Sequence, residues 1–291
     1  MPGQGTFEDT LAKIKEAKKN REEGKVNSIP FGLPTLDKHV PGIMRGIQYL
    51  TTASSGVGKT QLSKFLFVNQ PYKFIKENPQ ANVKLKILYF ALEESKEEFM
   101  YSLISNRLKV LHNITVDSLQ LRGITNTLSD DVVTKIEECK DYFEDLERCI
   151  DVIDTISNPY GIMKYIQDYA IGHGTLHYRP HVFKSTLSDG TRHEETEMII
   201  DRYEPSDPEE IVMVIIDHMS LLQPEKTDTL HEAMTQMSAN YGRKKITKLF
   251  NYCLNIVQQQ AADTEKQQFT NGGQSRANRT RSFHLILTES W

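Results

Sequence analysis

Ile47-Gln48-Tyr49-Leu50-Thr51-Thr52 runs into Ala53-Ser54-Ser55-Gly56-Val57-Gly58-Lys59-Thr60, and Gln61 to Asn69 continues with helix-compatible residues. The order reads as strand, tight loop and helix. Backbone amides approach phosphate oxygens closely where no side chain intervenes, and Gly56 and Gly58 meet that need. Lys59 is placed to reach β and γ phosphates, and the Thr60 hydroxyl suits Mg²⁺. The helix from Lys59 aims its positive N-terminal end at the anion. Ala53 stands where the pattern usually carries Gly, and alanine fits there with a negative φ. Ser54, Ser55, Gly56, Val57, Gly58, Lys59 and Thr60 are therefore expected to cradle ATP, with Mg²⁺ as its companion.

Hydrolysis asks for two further acids, one near the metal and one to polarise water. Val214-Ile215-Ile216-Asp217 is a buried-type strand ending in a carboxylate, the Walker B pattern, so Asp217 joins Thr60 as an expected metal ligand. Ile87 to Leu92 is a second apolar strand, ending in Glu93-Glu94. It would carry Glu93 to the sheet edge that holds Lys59, where it serves as general base. Glu94 reads as a cap of the following helix, whose N-terminus favours acids. Leu254 to Gln260 (LNIVQQQ) is a third such strand, and Gln259 or Gln260 at its end can sense the γ-phosphate.

Around these segments, apolar runs alternate with helical stretches. Strands are expected at Ile47–Thr52, Lys86–Leu92, Ile150–Asp154, Ile211–Asp217, Leu254–Gln258 and Phe283–Leu287. Helices are expected at Lys59–Asn69, Lys96–Leu111, Asp130–Asp145, Gly161–Tyr169 and His231–Phe250. The alternation predicts an α/β fold with a mostly parallel central sheet flanked by helices. One stretch, residues 173–208, breaks it: two β-favouring runs flank Ser188-Asp189-Gly190, which predicts an inserted β-hairpin. Phe7 to Arg21 reads as an exposed amphipathic helix, and Gly24 to Pro34 as a linker. Residues 1–27 thus form a helix and linker, and 28–291 the ATPase domain, with a basic loop and terminal strand at 261–291.

Of the 291 residues, 38% are hydrophobic and 25% charged, which suits a soluble globular chain. No apolar run approaches the roughly 20 residues of a membrane span, so no membrane partner is expected. Cys139, Cys149 and Cys253 have no ligand-type spacing and read as reduced thiols of a cytoplasmic protein. A net charge of −4 is not the mark of a nucleic-acid binder, yet a ring can concentrate positive charge in a channel.

Taken together, these segments resemble the RecA-like ATPase domain of DnaB-type (superfamily 4) replicative helicases, especially phage versions. Ile29 to Asp37 (IPFGLPTLD) is similar to the motif that precedes the family's P-loop. Leu88 to Ser95 (LYFALEES) is similar to the strand that carries the family's catalytic glutamate, which maps onto Glu93. Val214 to Leu222 (VIIDHMSLL) is similar to its Walker B segment, which maps onto Asp217. The resemblance spans about Ser28 to Gln260 and matches the glutamine strand in kind. It implies an ATP-hydrolysing helicase or translocase on single-stranded DNA, assembled as a hexameric ring with ATP sites between subunits. It places the protein in a bacterial or phage-infected host cytoplasm, and makes the Phe7–Arg21 helix a linker that docks on the adjacent subunit. The family has no counterpart of the 173–208 hairpin, and it continues beyond the glutamines with an arginine finger, for which Arg279 or Arg281 are candidates.

The segment Asp263 to Arg281, with Gly272-Gly273, Arg276 and Phe269, reads either as a loop tracking DNA phosphates or as a plain surface loop. His173, His177 and His181 share a spacing that would put them on one strand face, which a metal site could use, but ordinary polar residues facing water explain them better. The other function class is a RecA/KaiC/RadA-like ATPase of recombination or regulation that separates no strands. A nucleotide kinase is disfavoured, since no basic lid for a second phosphorylated substrate is visible.

Overall fold

A computed structural model describes residues 6–24, 26, 28–54, 56–186, 192–226, 228–259 and 283–288. Helix α1 (Thr6–Glu22) leads to the short α2 (Pro34–Asp37), strand β1 (Gln48–Ala53) and α3 (Lys59–Lys64). A π-helical turn, Phe65–Asn69, joins α3 to α4 (Gln70–Glu77). Then come β2 (Lys84–Ala91), α5 (Lys96–His112), α6 (Ser118–Leu121), α7 (Asp130–Glu137), α8 (Lys140–Cys149), β3 (Ile150–Ile153) and α9 (Pro159–Gly172). The antiparallel pair β4 (Gly174–Thr186) and β5 (Arg192–Pro205) precedes β6 (Glu210–Asp217). Helix α10 (Leu230–Thr235), continued by a π-helical segment Gln236–Thr247, leads to β7 (Cys253–Gln259) and β8 (Phe283–Thr288).

Six strands form one sheet in the order β3-β2-β6-β7-β1-β8. The first five are parallel, and β8 runs antiparallel to β1 at the edge. The apolar runs are continuous because both faces are covered. On β6, Ile211, Met213 and Ile215 enter one core, while Val212, Val214 and Ile216 enter the other. The first core receives Leu66 and Phe67 behind α3, Phe99 and Leu103 of α5 and Leu146 of α8. The second receives Ile162 and Ile166 of α9 and Met237 and Ile246 of the late π segment. Asp217 continues the 211-213-215 alternation, so the sheet delivers it to the face that carries α3.

The structure departs from the sequence reading in four places. The helix from Lys59 continues past Asn69 to Glu77 through the π-helical turn Phe65–Asn69, with Pro71 just beyond that turn. The expected helix 130–145 is two helices, and the break turns Cys139 into the interior. Helix 231–250 becomes largely π-helical. The Gly24–Pro34 stretch is spacer only in its first part. Ile29 and Phe31 are fully buried, Ile29 bridges Ile43, and the Phe31, Tyr49 and Phe67 rings meet edge-on.

A buried polar chain ties β1, β7 and α3 together. Thr51 Oγ1 donates to Asn255 Oδ1 at 2.9 Å, and Asn255 Nδ2 donates to Ser63 Oγ at 2.9 Å. All three residues are essentially sealed from water. Asn255→Ala should strand two buried hydroxyls and lower stability by about 1–3 kcal/mol. Urea denaturation would measure it, and a loss below about 0.5 kcal/mol would mean the chain contributes nothing special.

Candidate functional site

The loop between β1 and α3 takes its shape from its glycines. Gly56 has φ +71° and Gly58 φ +93°, the latter as the residue preceding α3. A Cβ at either would meet nothing within 4 Å, so the left-handed backbone, not crowding, is what asks for glycine. The space in front of the loop is open to a ligand. Ala53 ends β1 fully buried in extended backbone, which suits a residue with a Cβ. Lys59 is nearly buried, and its Nζ donates to Ser54 O at 3.2 Å, spanning the loop. Ser54 and Val57 lie in the loop between β1 and α3. Ser55 lies outside the described residues.

The strand order brings the other candidates to the same carboxyl edge. Thr60 Oγ1 faces Asp217 Oδ1 at 3.4 Å. The other Asp217 oxygen accepts from Tyr89 Oη at 2.6 Å. Burial pushes the Asp217 carboxyl above its usual range, against the opposing pull of the Tyr89 hydrogen bond and the Lys64 charge. A cation beside Thr60 would relieve that penalty, so the pair fits Mg²⁺. Among the described residues no cluster of three or more His, Cys, Asp or Glu could hold a metal alone. Magnesium commonly leans on one carboxylate and on substrate phosphates, and this donor set matches that habit.

Ala91 pairs with Asp217 across β2 and β6, which places Glu93 two residues beyond that rung, exposed at the edge. Gln259 pairs with Ala53, so the last residue of β7 stands beside the start of the loop. Gln260, Phe269, Arg276, Arg279 and Arg281 lie outside the described residues.

Glu94 is not the cap that its position suggests. Ser95 caps α5 in a reciprocal capping box with Glu98, and the Glu94 carboxylate turns instead to Lys64. The three histidines form no metal-holding group among the described residues, and His173 precedes β4. His173 stacks on Tyr169, His177 meets Glu204 at 2.9 Å and His181 packs against Phe183.

Three side chains at this edge escape a reading by motif: Tyr89, Lys64 and His218. A tyrosine inside a buried strand needs a partner for its hydroxyl, and that requirement was the available signal for Tyr89. His218 follows Asp217 through a cis peptide and is buried, with Nδ1 lacking a hydrogen-bond partner. Burial pushes its pKa down. The hollow near Tyr72 and Arg107 lies behind α4 and α5, where Arg107 covers the Tyr142 ring and Lys76 pairs with Asp145.

No protein-family model matches the chain, and no curated protein does. Solved structures do. A DnaB-like replicative helicase, described with its interactions with primase, aligns over 94% of this chain at TM-score 0.58 and 15% identity. The chain spans about half, 52%, of that helicase's length. A KaiC-like protein from the hyperthermophilic archaeon Pyrococcus horikoshii OT3 aligns over 81% of this chain and 73% of its own, at TM-score 0.39 and 14% identity. The first likeness, with the strand order above, gives the fold as RecA-like α/β. No described helix is long and apolar enough to cross a membrane.

Proposed function

We propose that this chain binds ATP with Mg²⁺ at the 53–60 loop, hydrolyses it, and works as a DnaB-like helicase or translocase on single-stranded DNA, as a homo-oligomeric, hexameric ring. One observation carries the nucleotide chemistry: Thr60 and Asp217, 157 residues apart in sequence, meet at the mouth of a glycine loop, with Glu93 on the neighbouring strand end. The RecA-like fold of a replicative helicase supports the motor part.

In this reading the amides of Gly56 to Lys59 and the start of α3 grip the phosphates, and Lys59 leaves Ser54 O to meet the β and γ oxygens. Mg²⁺, when bound, neutralises phosphate charge, held by Thr60 and Asp217. Tyr89 keeps Asp217 oriented by occupying its second oxygen. Glu93 takes a proton from water as the water oxygen bonds to the γ-phosphorus and the bond to the β,γ-bridging oxygen breaks. Gln259, on the rung beside Ala53, is placed to read loss of the γ-phosphate.

The test is ATP turnover with and without single-stranded DNA, together with unwinding of a forked duplex. Severalfold stimulation and strand separation are expected. Turnover that DNA leaves unchanged, with no unwinding, would replace the motor by a RecA/KaiC/RadA-like ATPase of recombination or regulation. Absence of any turnover would remove the enzyme reading altogether.

A further inference from the structure

Lys64 sits one helical turn beyond the phosphate loop and is almost wholly buried, which is unusual for an ammonium. Its Nζ lies 2.7 Å from Glu94 Oε1, donates to Glu94 Oε2 at 2.8 Å and to Ser102 Oγ at 2.7 Å, and rests 4.7 Å from the centre of the Phe99 ring. All three partners belong to the β2–α5 bend and to α5 itself. Burial lowers the Lys64 pKa and raises that of Glu94, with the pair's mutual attraction opposing both shifts.

A buried ion pair is a poor device for stability, since apolar residues of equal volume often do as well. It is a good device for position, because a charge without its partner is not tolerated there. Glu94 is the direct neighbour of Glu93, in the bend 92–94 that carries Glu93 off β2. With the Glu94 carboxylate drawn inward to the phosphate-loop helix, Glu93 is the exposed member of the pair.

We infer that Lys64, Glu94 and Ser102 form a strut between the phosphate-loop helix and the Glu93 bend, and that Lys64 and Glu94 are positioning residues for the Glu93 carboxylate. The inference rests on the reading of Glu93 as the general base. The strut makes the distance between loop and base a property of one buried contact.

The experiment replaces the pair by shape, with Lys64→Met and Glu94→Leu together, in the full chain. Lys64→Met alone leaves a buried carboxylate and is expected to misfold, so the double variant carries the test. A thermal midpoint near the parent's is expected, with KM for MgATP within about threefold. The kcat should fall on the order of 10²-fold, the size of effect that follows a misplacement of about 1 Å. Glu94→Gln, which keeps the shape and one hydrogen bond, should fall less. In a Glu93→Gln background the double replacement should cost nothing further, because the group it positions is gone. Parental kcat in the folded double variant, or additive losses in the Glu93→Gln background, overturns the strut and leaves the base reading standing. If Glu93→Gln alone matches the parent, the base reading falls and the strut falls with it. A double variant that does not fold also overturns the proposal, since the pair would then be serving stability.

Discussion

Glu93→Gln should lower ATP turnover by about 10²- to 10⁴-fold, the usual contribution of a positioned general base, while nucleotide affinity stays within a few-fold. The amide keeps the size and polarity of the carboxylate but cannot take a proton from water. Glu93 is exposed beyond the β2–β6 rung, away from both cores, so the fold has no stake in its charge. The thermal midpoint should therefore hold, with a stability change within about 0.5 kcal/mol. Steady-state phosphate release and titration with a fluorescent nucleotide measure the two quantities on one preparation. Unchanged turnover would leave water activation to another group at the edge.

Lys59→Ala has a different signature. Here affinity and turnover should fall together. Lys59 is the loop's own cation and lies across it, bonded to Ser54 O at 3.2 Å. A charge-assisted contact to phosphate is worth about 1.5–3 kcal/mol, so nucleotide should bind about 10- to 100-fold more weakly. The developing charge on the γ-phosphoryl group loses a preorganised donor, and kcat should fall by a further factor of about 10²–10³. Equilibrium binding with and without Mg²⁺, followed by single-turnover hydrolysis at saturating nucleotide, separates the two effects. Wild-type affinity in this variant would mean that the anion is held elsewhere.

Much of this edge could be read in advance because its chemistry is local. Gly56, Gly58, Lys59 and Thr60 sit within one loop, and Asp217 and Glu93 each end a continuous apolar run. A strand buried on both faces announces itself in composition, and so does its polar stop. What stayed hidden depends on register or on contacts across the fold. Tyr89 is one more apolar-strand aromatic until β2 and β6 are aligned, when it faces Asp217. Nothing near Lys64 in sequence reveals that α5 and the bend before it close over its ammonium. Glu94 looked like a cap because it stands next to one, and only the Ser95–Glu98 box shows the position taken. A π turn differs from an α turn in its backbone bonding, i to i+5, and over segments as short as Phe65–Asn69 and Gln236–Thr247 the change of side-chain period is too small to read beforehand. The neighbourhood of Gln259 likewise depends on the β1–β7 ladder, which puts it opposite Ala53, while Gln260 lies outside the described residues.

The β4–β5 arm has a consequence for how such a chain can diversify. Gly174 pairs with Pro205, and Ser206 N donates to His173 O at 2.8 Å, so the arm departs and returns through a single doorway. Among the described residues its strands pair only with each other, and the six-stranded ladder runs on without them. The doorway is held by Tyr203, whose hydroxyl donates to His173 O and whose ring packs on Phe250. Descent can lengthen, trim or exchange the arm while the strand order behind the phosphate loop stays untouched, which makes it the natural place for one lineage to differ from the next.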